Sequence, residues 1–84
     1  MGDLKYIMFD DGSFLIFPLM SSHAEVARGS KVSSAGFVNF VPKEDKDYPG
    51  LYECEASCFG ESTTLGIKSN EEQDSRIISM SLIY

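Results

Sequence analysis

Cys54, Cys58 and His23 are the first side chains to test for chemistry, since the chain holds two cysteines and one histidine. The cysteines stand in CEASC, a three-residue spacing rather than the two-residue spacing of common zinc knuckles. Adding His23 still leaves a tetrahedral site one ligand short. A Cys54–His23 nucleophile pair needs a cation or helix N-terminus beside the thiol, whereas Cys54 lies between Glu53 and Glu55. On a strand, four steps of about 3.3 Å set the two cysteines ~13 Å apart, past the roughly 7 Å reach of a disulfide. Both therefore read as small buried hydrophobes on one strand face. His23 reads as a helix-start side chain facing solvent.

The carboxylates and serines give no stronger signal. Glu53, Glu55 and Glu61 form an acid/base set only if one carboxyl sits in an apolar pocket, and their positions read instead as a solvated strand face. Ser33, Ser34, Ser57, Ser62 and Ser69 occupy no G-x-S-x-G elbow. Neither G-x-x-x-x-G-K-[ST] nor G-x-G-x-x-G occurs. Asp10-Asp11-Gly12-Ser13 lacks the later Glu of a calcium loop, and hairpin-turn chemistry accounts for it. No catalytic, cofactor-binding or metal-ligating residue is assigned, and no cofactor is expected.

The elements that position these residues follow from periodicity. Leu4–Phe9 and Ser13–Phe17 are apolar runs joined through an Asp-Gly pair, a hairpin signal with the positive φ of a type I′ turn. Their apolar residues are successive rather than alternating, which implies burial on both faces or one face covered by a partner chain. Pro18 ends the second strand. In SSHAEVARG, Ser22 and Glu25 fit a capping box and Gly29 a left-handed stop, with Ala24, Val26 and Ala27 as the packing face. Lys31–Val41 reads as the central strand, with Ala35-Gly36 a gap where a helix packs close. Pro42–Gly50 reads as a loop, and Leu51–Phe59 as an alternating strand antiparallel to Lys31–Val41. Thr63–Ile67 suggests a further short strand. Ser69 with Glu72, or Asn70 with Gln73, starts a helix running to about Leu82, against a rival strand pattern at Ile78, Met80, Leu82 and Tyr84.

Charge narrows the partners. Thirteen acids against seven bases give −6, which disfavours nucleic acid as a ligand. No apolar run reaches the roughly 18 residues of a membrane span, and the N-terminus has acids where a signal peptide has bases. A cytoplasmic protein with no nucleic-acid and no membrane partner is expected. Too many large apolar residues remain for a two-layer domain to hide, so an apolar sheet face left open for a protein partner or a second copy is expected.

The residues His23-Ala24-Glu25-Val26-Ala27, Ser34-Ala35-Gly36-Phe37-Val38 and Gly60–Ser69 followed by Asp74 resemble a loose set of small uncharacterised proteins of bacteria and their phages. This chain has Asn70 where those proteins are expected to carry a proline near the first helical turn. The resemblance implies a bacterial or mobile-element context and no activity.

The expected fold is one α+β domain over residues 1–84, in the order ββαββα. Its mostly antiparallel sheet of four or five strands carries both helices on one face. The expected function is a non-enzymatic acidic binding or regulatory protein, working through protein contacts or as a homodimer. Its candidate interface is Phe14, Ile16, Phe37, Phe40, Glu53, Glu55 and Tyr84. Two alternatives stand beside it. One is a small enzyme or ligand-binding protein using Cys54 and His23 near Ala35-Gly36. The other is a DNA mimic presenting Glu53, Glu55, Glu61, Glu71, Glu72 and Asp74.

Overall fold

Strand β1 (Leu4–Phe9) is the inner strand against which the rest of the sheet assembles, because Tyr6, Ile7 and Met8 are all buried. The structure is a computed structural model that describes residues 3–44 and 52–81. Successive burial on a strand requires cover on both faces. The same chain supplies both covers.

β1 returns through a three-residue turn into β2 (Phe14–Phe17), with Met8 opposite Phe14 and Lys5 opposite Phe17. The Gly12 amide donates to the Phe9 carbonyl (3.0 Å), and the Phe9 amide donates to the Ser13 carbonyl (2.8 Å). Asp10 and Asp11 keep negative φ while Gly12 has φ 90°. This is a type I turn closed by a glycine bulge, not the expected type I′ turn, which needs positive φ at both central residues. The Asp11 carboxylate accepts from the Ser13 hydroxyl (2.6 Å) and amide (2.9 Å). Those two bonds, the hydroxyl first, hold the exposed Asp11 carboxyl below its ordinary range.

Helix α1 (His23–Ala27) follows, capped by the Ser22 hydroxyl on the Glu25 amide (3.1 Å). It ends at Arg28, which takes the left-handed conformation one residue earlier than the expected Gly29. Strand β3 (Val32–Glu44) pairs antiparallel with β1 through its first half and with β4 (Tyr52–Phe59) through its second half. β3 therefore runs through Pro42, Lys43 and Glu44, where the charge and proline content suggested a loop. The remainder of that expected loop, residues 45–50, and the first residue of the expected strand, Leu51, lie outside the described residues. The sheet order is β2-β1-β3-β4.

In place of one strand over Thr63–Ile67, two short strands, β5 (Glu61–Ser62) and β6 (Ile67–Lys68), form a separate ribbon around a turn. The chain reaches this ribbon by crossing β3 at Gly36. A Cβ on Gly36 would meet the Phe59 carbonyl oxygen at 2.5 Å and the Ser69 Cβ at 3.1 Å. The close approach expected at Ala35-Gly36 is thus made by backbone of the β4–β5 crossing, not by a helix.

Helix α2 (Glu71–Ser81) is the last described element, so at Ile78 and Met80 the helical start signal prevails over the strand-like alternation, whose Leu82 and Tyr84 lie outside the described residues. The Asp74 amide donates to the Asn70 carbonyl (2.8 Å), and the Asn70 side-chain amide donates to Gln73 (3.1 Å). The two helices lie on opposite sheet faces, a correction to the expected single layer. Tyr6, Met8, Val38, Ala56 and Cys58 pack with Ile78 of α2. Ile7, Phe17 and Ala35 pack with Ala27 of α1, joined by Leu65 and Ile67 of the ribbon. Opposite parity along β1 separates the two clusters. Ile78, fully buried, contributes about 1.5–3 kcal/mol by leaving water.

Candidate functional site

The only fully buried acid among the described residues is Asp74, and its placement is the first electrostatic feature of the fold. Asp74 lies in the first turn of α2, where the helix dipole favours a carboxylate. Its Oδ2 accepts from the Tyr6 hydroxyl (2.5 Å) and from the Asn70 amide (3.1 Å). Its Oδ1 is buried with no hydrogen-bond partner. Burial, then the Asp74 hydrogen bond and charge, push the Tyr6 hydroxyl far above its ordinary range. Burial also pushes up the Cys58 thiol, with Asp74 adding to the rise and the Ser75 hydroxyl opposing it. A tyrosine that keeps its proton at neutral pH, in a site closed to solvent, is no proton-transfer catalyst. The cluster ties α2 to β1 across the sheet face. The DNA-mimic alternative needs Asp74 on the acidic surface, and its burial removes it from that set. Its position four residues before Ile78, on the apolar stripe, was the available signal.

The sequence-derived candidates do not converge. His23 is buried, not solvent-facing. Its Nε2 lies 2.9 Å from the Gly36 carbonyl oxygen, which can only accept, so Nε2 carries the proton. The ring stands edge-on to Phe17 (centroids 5.4 Å apart) and Phe37 (6.0 Å). His23 therefore belongs to the α1 face. Cys54 shares the face of Ala56 and Cys58, on the other side of the sheet. The proposed Cys54–His23 pair is separated by the sheet itself, and the Ala35-Gly36 gap is filled by the Phe59–Gly60 crossing. Cys58 is buried as expected, but Cys54 is exposed. Among the described residues, no group of three or more His, Cys, Asp or Glu side chains is arranged to hold a metal. Glu55, Glu61, Glu71 and Glu72 are exposed, while Asp74 is withdrawn into the core.

The expected interface is divided in the same way. Phe14, Ile16 and Phe40 are half-buried against the α2-side cluster. Phe37 is on the α1 face, stacked on Phe59 (centroids 5.8 Å apart). Glu55 is exposed, the Glu53 side chain is not described, and Tyr84 lies outside the described residues. No single open apolar face unites them, because each face has its own helix.

What the fold leaves open is backbone. Each sheet edge can be read from hydrogen-bond parity, since antiparallel residues point alternately to one neighbour and then to the other. On β4, the Cys58 amide donates to Ser75 Oγ (2.8 Å) and the Ala56 amide to Ser79 Oγ (2.9 Å). Two helix hydroxyls, four residues apart, thus cap the outer edge of that strand at Ala56 and Cys58. On β2, the Phe9–Ser13 bond turns Leu15 and Phe17 inward to β1, so Phe14 and Ile16 direct their amides and carbonyls outward. Pro18, next in that phase, has no amide to offer. No described strand pairs with this side of β2. Beside it, Leu15 and Leu19 are each 48% exposed and Met20 is 98% exposed. The fold and its edges define a small α+β protein with a four-stranded antiparallel sheet, one edge partly capped by a helix and the other unpaired among the described residues. The chain matches no protein-family model, no curated protein and no solved structure.

Proposed function

We propose that the chain is a non-enzymatic protein-binding module that takes an extended segment of its partner onto the free edge of β2. One observation carries this reading. Of the two outer strands, β4 is capped at Ala56 and Cys58 by Ser79 and Ser75, while β2 presents the backbone of Phe14 and Ile16, unpaired among the described residues, on a strand without charge. A bare apolar edge is a liability that proteins ordinarily blunt with charge, bulges or cover. Strand addition draws affinity from main-chain bonds and selectivity from side chains alternating beside them, here Leu15 with Leu19 and Met20 nearby. The −6 charge suits a freely soluble regulator in a bacterial or phage setting.

The test uses tethered wild-type chain and the Ile16→Pro variant in extract from the native host. Pro removes an outward donor without touching the β1 ladder. A protein retained by wild type and lost with Ile16→Pro is expected. Equal retention by both refutes docking at this edge. Release of the partner by several hundred millimolar salt, with Ile16→Pro inert, would instead favour the acidic surface and the DNA-mimic reading.

A further inference from the structure

Resting on the strand-addition reading, we infer that the segment β2 accepts is β2 of a second copy, paired antiparallel about a two-fold axis at Leu15. The outward-facing groups of the edge are the amides and carbonyls of Phe14 and Ile16. With the axis at Leu15, Phe14 of each copy falls opposite Ile16 of the other. Both belong to the outward phase, so each pair exchanges two backbone bonds and the dimer gains four. The outward amides and carbonyls of Phe14 and Ile16 are then all paired. Moving the axis to Ile16 sets Phe14 against Pro18, which has no amide, and leaves the Phe14 carbonyls unpaired.

The side chains agree with this register. Paired residues share a face, which brings the half-exposed Leu15 against its own copy on the α1 side. It places the half-buried Phe14 beside Ile16 on the α2 side, extending the existing cluster. Charge is complementary along the seam. The exposed Asp10 and Asp11 of one copy run toward the end of β2 where Lys5 of the other holds its ammonium on the Ser21 carbonyl (2.9 Å). Two four-stranded sheets become one continuous eight-stranded sheet whose outer strands are the two copies of β4. Their edges carry the Ser75 and Ser79 caps at Cys58 and Ala56. The two-fold pairing uses the β2 edge of both copies, so it is closed and isologous and leaves no β2 edge to recruit a third copy. Four strand residues per copy make a small contact, at the weak end of specific interfaces.

Sedimentation equilibrium at high micromolar concentration tests this with Leu15→Lys, Leu15→Glu and their mixture. At the axis, residue 15 of the two copies is a non-hydrogen-bonded pair with Cα atoms about 4.5 Å apart, so like charges repel and opposite charges attract. The wild-type mass should be twice the 9.3 kDa chain. Each variant alone should weigh one chain, and the equimolar mixture should regain the dimer, tightening association at least tenfold over either alone. A wild-type mass of one chain overturns the inference, as do variants that remain dimeric alone or a mixture that stays monomeric. The strand-addition reading fails separately. A monomeric wild type whose host partner is lost with Ile16→Pro removes self-pairing and keeps the module.

Discussion

Removing the Tyr6 hydroxyl tests whether the buried Tyr6–Asp74 bond secures α2. Both residues are fully buried, and Asp74 Oδ1 has no hydrogen-bond partner. Tyr6→Phe keeps the ring and leaves the carboxylate with the Asn70 amide alone. A bond to a charged group contributes about 1.5–3 kcal/mol, so the loss should fall near 2 kcal/mol and lower Tm by about 10 °C. Asp74→Ala should cost more, roughly 3–4 kcal/mol, since it strands the Tyr6 hydroxyl and the Asn70 amide together. The double variant should cost little more than Asp74→Ala, giving a coupling of about 1.5–3 kcal/mol. Urea unfolding followed by circular dichroism at neutral pH measures all four corners, with constant m confirming a common unfolded state. A pH series adds an independent reading. Tyr6 is raised above its ordinary value of 10.0 in the folded chain, so its contribution is fully present below pH 10.0 and declines as pH rises beyond it. The gap between wild type and Tyr6→Phe should therefore narrow in that alkaline window. A coupling under about 0.5 kcal/mol, with a gap indifferent to pH, would refute the reasoning.

Two further outcomes follow from the packing. Gly36→Ala places a Cβ 2.5 Å from the Phe59 carbonyl oxygen, and this backbone contact has no flexible end to yield. It should destabilise by about 1–3 kcal/mol, with amide shifts concentrated at Phe59–Ser69, and an unchanged denaturation midpoint would contradict that contact. Native-state labelling with a thiol reagent should modify the exposed Cys54 promptly. Cys58, buried and with its thiol pushed up, should react only through global opening, slower by about 10³-fold or more. Comparable rates would show that α2 does not seal that face.

Much of the architecture was legible because periodicity and capping are local. The successive apolar residues of Leu4–Phe9 required two covers, Ser22 and Gly29 bracketed the first helix closely, and the alternation in CEASC marked β4. What escaped reading depends on three-dimensional neighbours. Nothing local says that β3 continues through Pro42, which is tolerated because it falls in the phase turned away from β4. Nothing local places the helices on opposite faces, which depends on where the β4–β5 crossing leaves the chain. His23 resembles a surface residue until Phe17, Phe37 and the Gly36 carbonyl converge on it. The candidate interface was sought in side chains, and it split once each face had its own helix. The open edge is a property of main-chain phase, which side-chain hydropathy does not encode.

The serines of α2 set a limit on how much of an edge a helix can guard. Ser75 and Ser79 are about 6.0 Å apart along the helix, whereas Cys58 and Ala56 are about 6.6–6.8 Å apart along the strand. The two scales behave like a vernier with nearly equal divisions. One step leaves a mismatch under about 1 Å, within the play of a hydroxyl rotor, but each step also turns the helix by about 40°. By a third tooth the offset exceeds about 1 Å and the side chain has swung roughly 80° off the seam. Lengthening α2 would protect no more of β4. Only a true strand, with the same division as its neighbour, can extend such cover indefinitely.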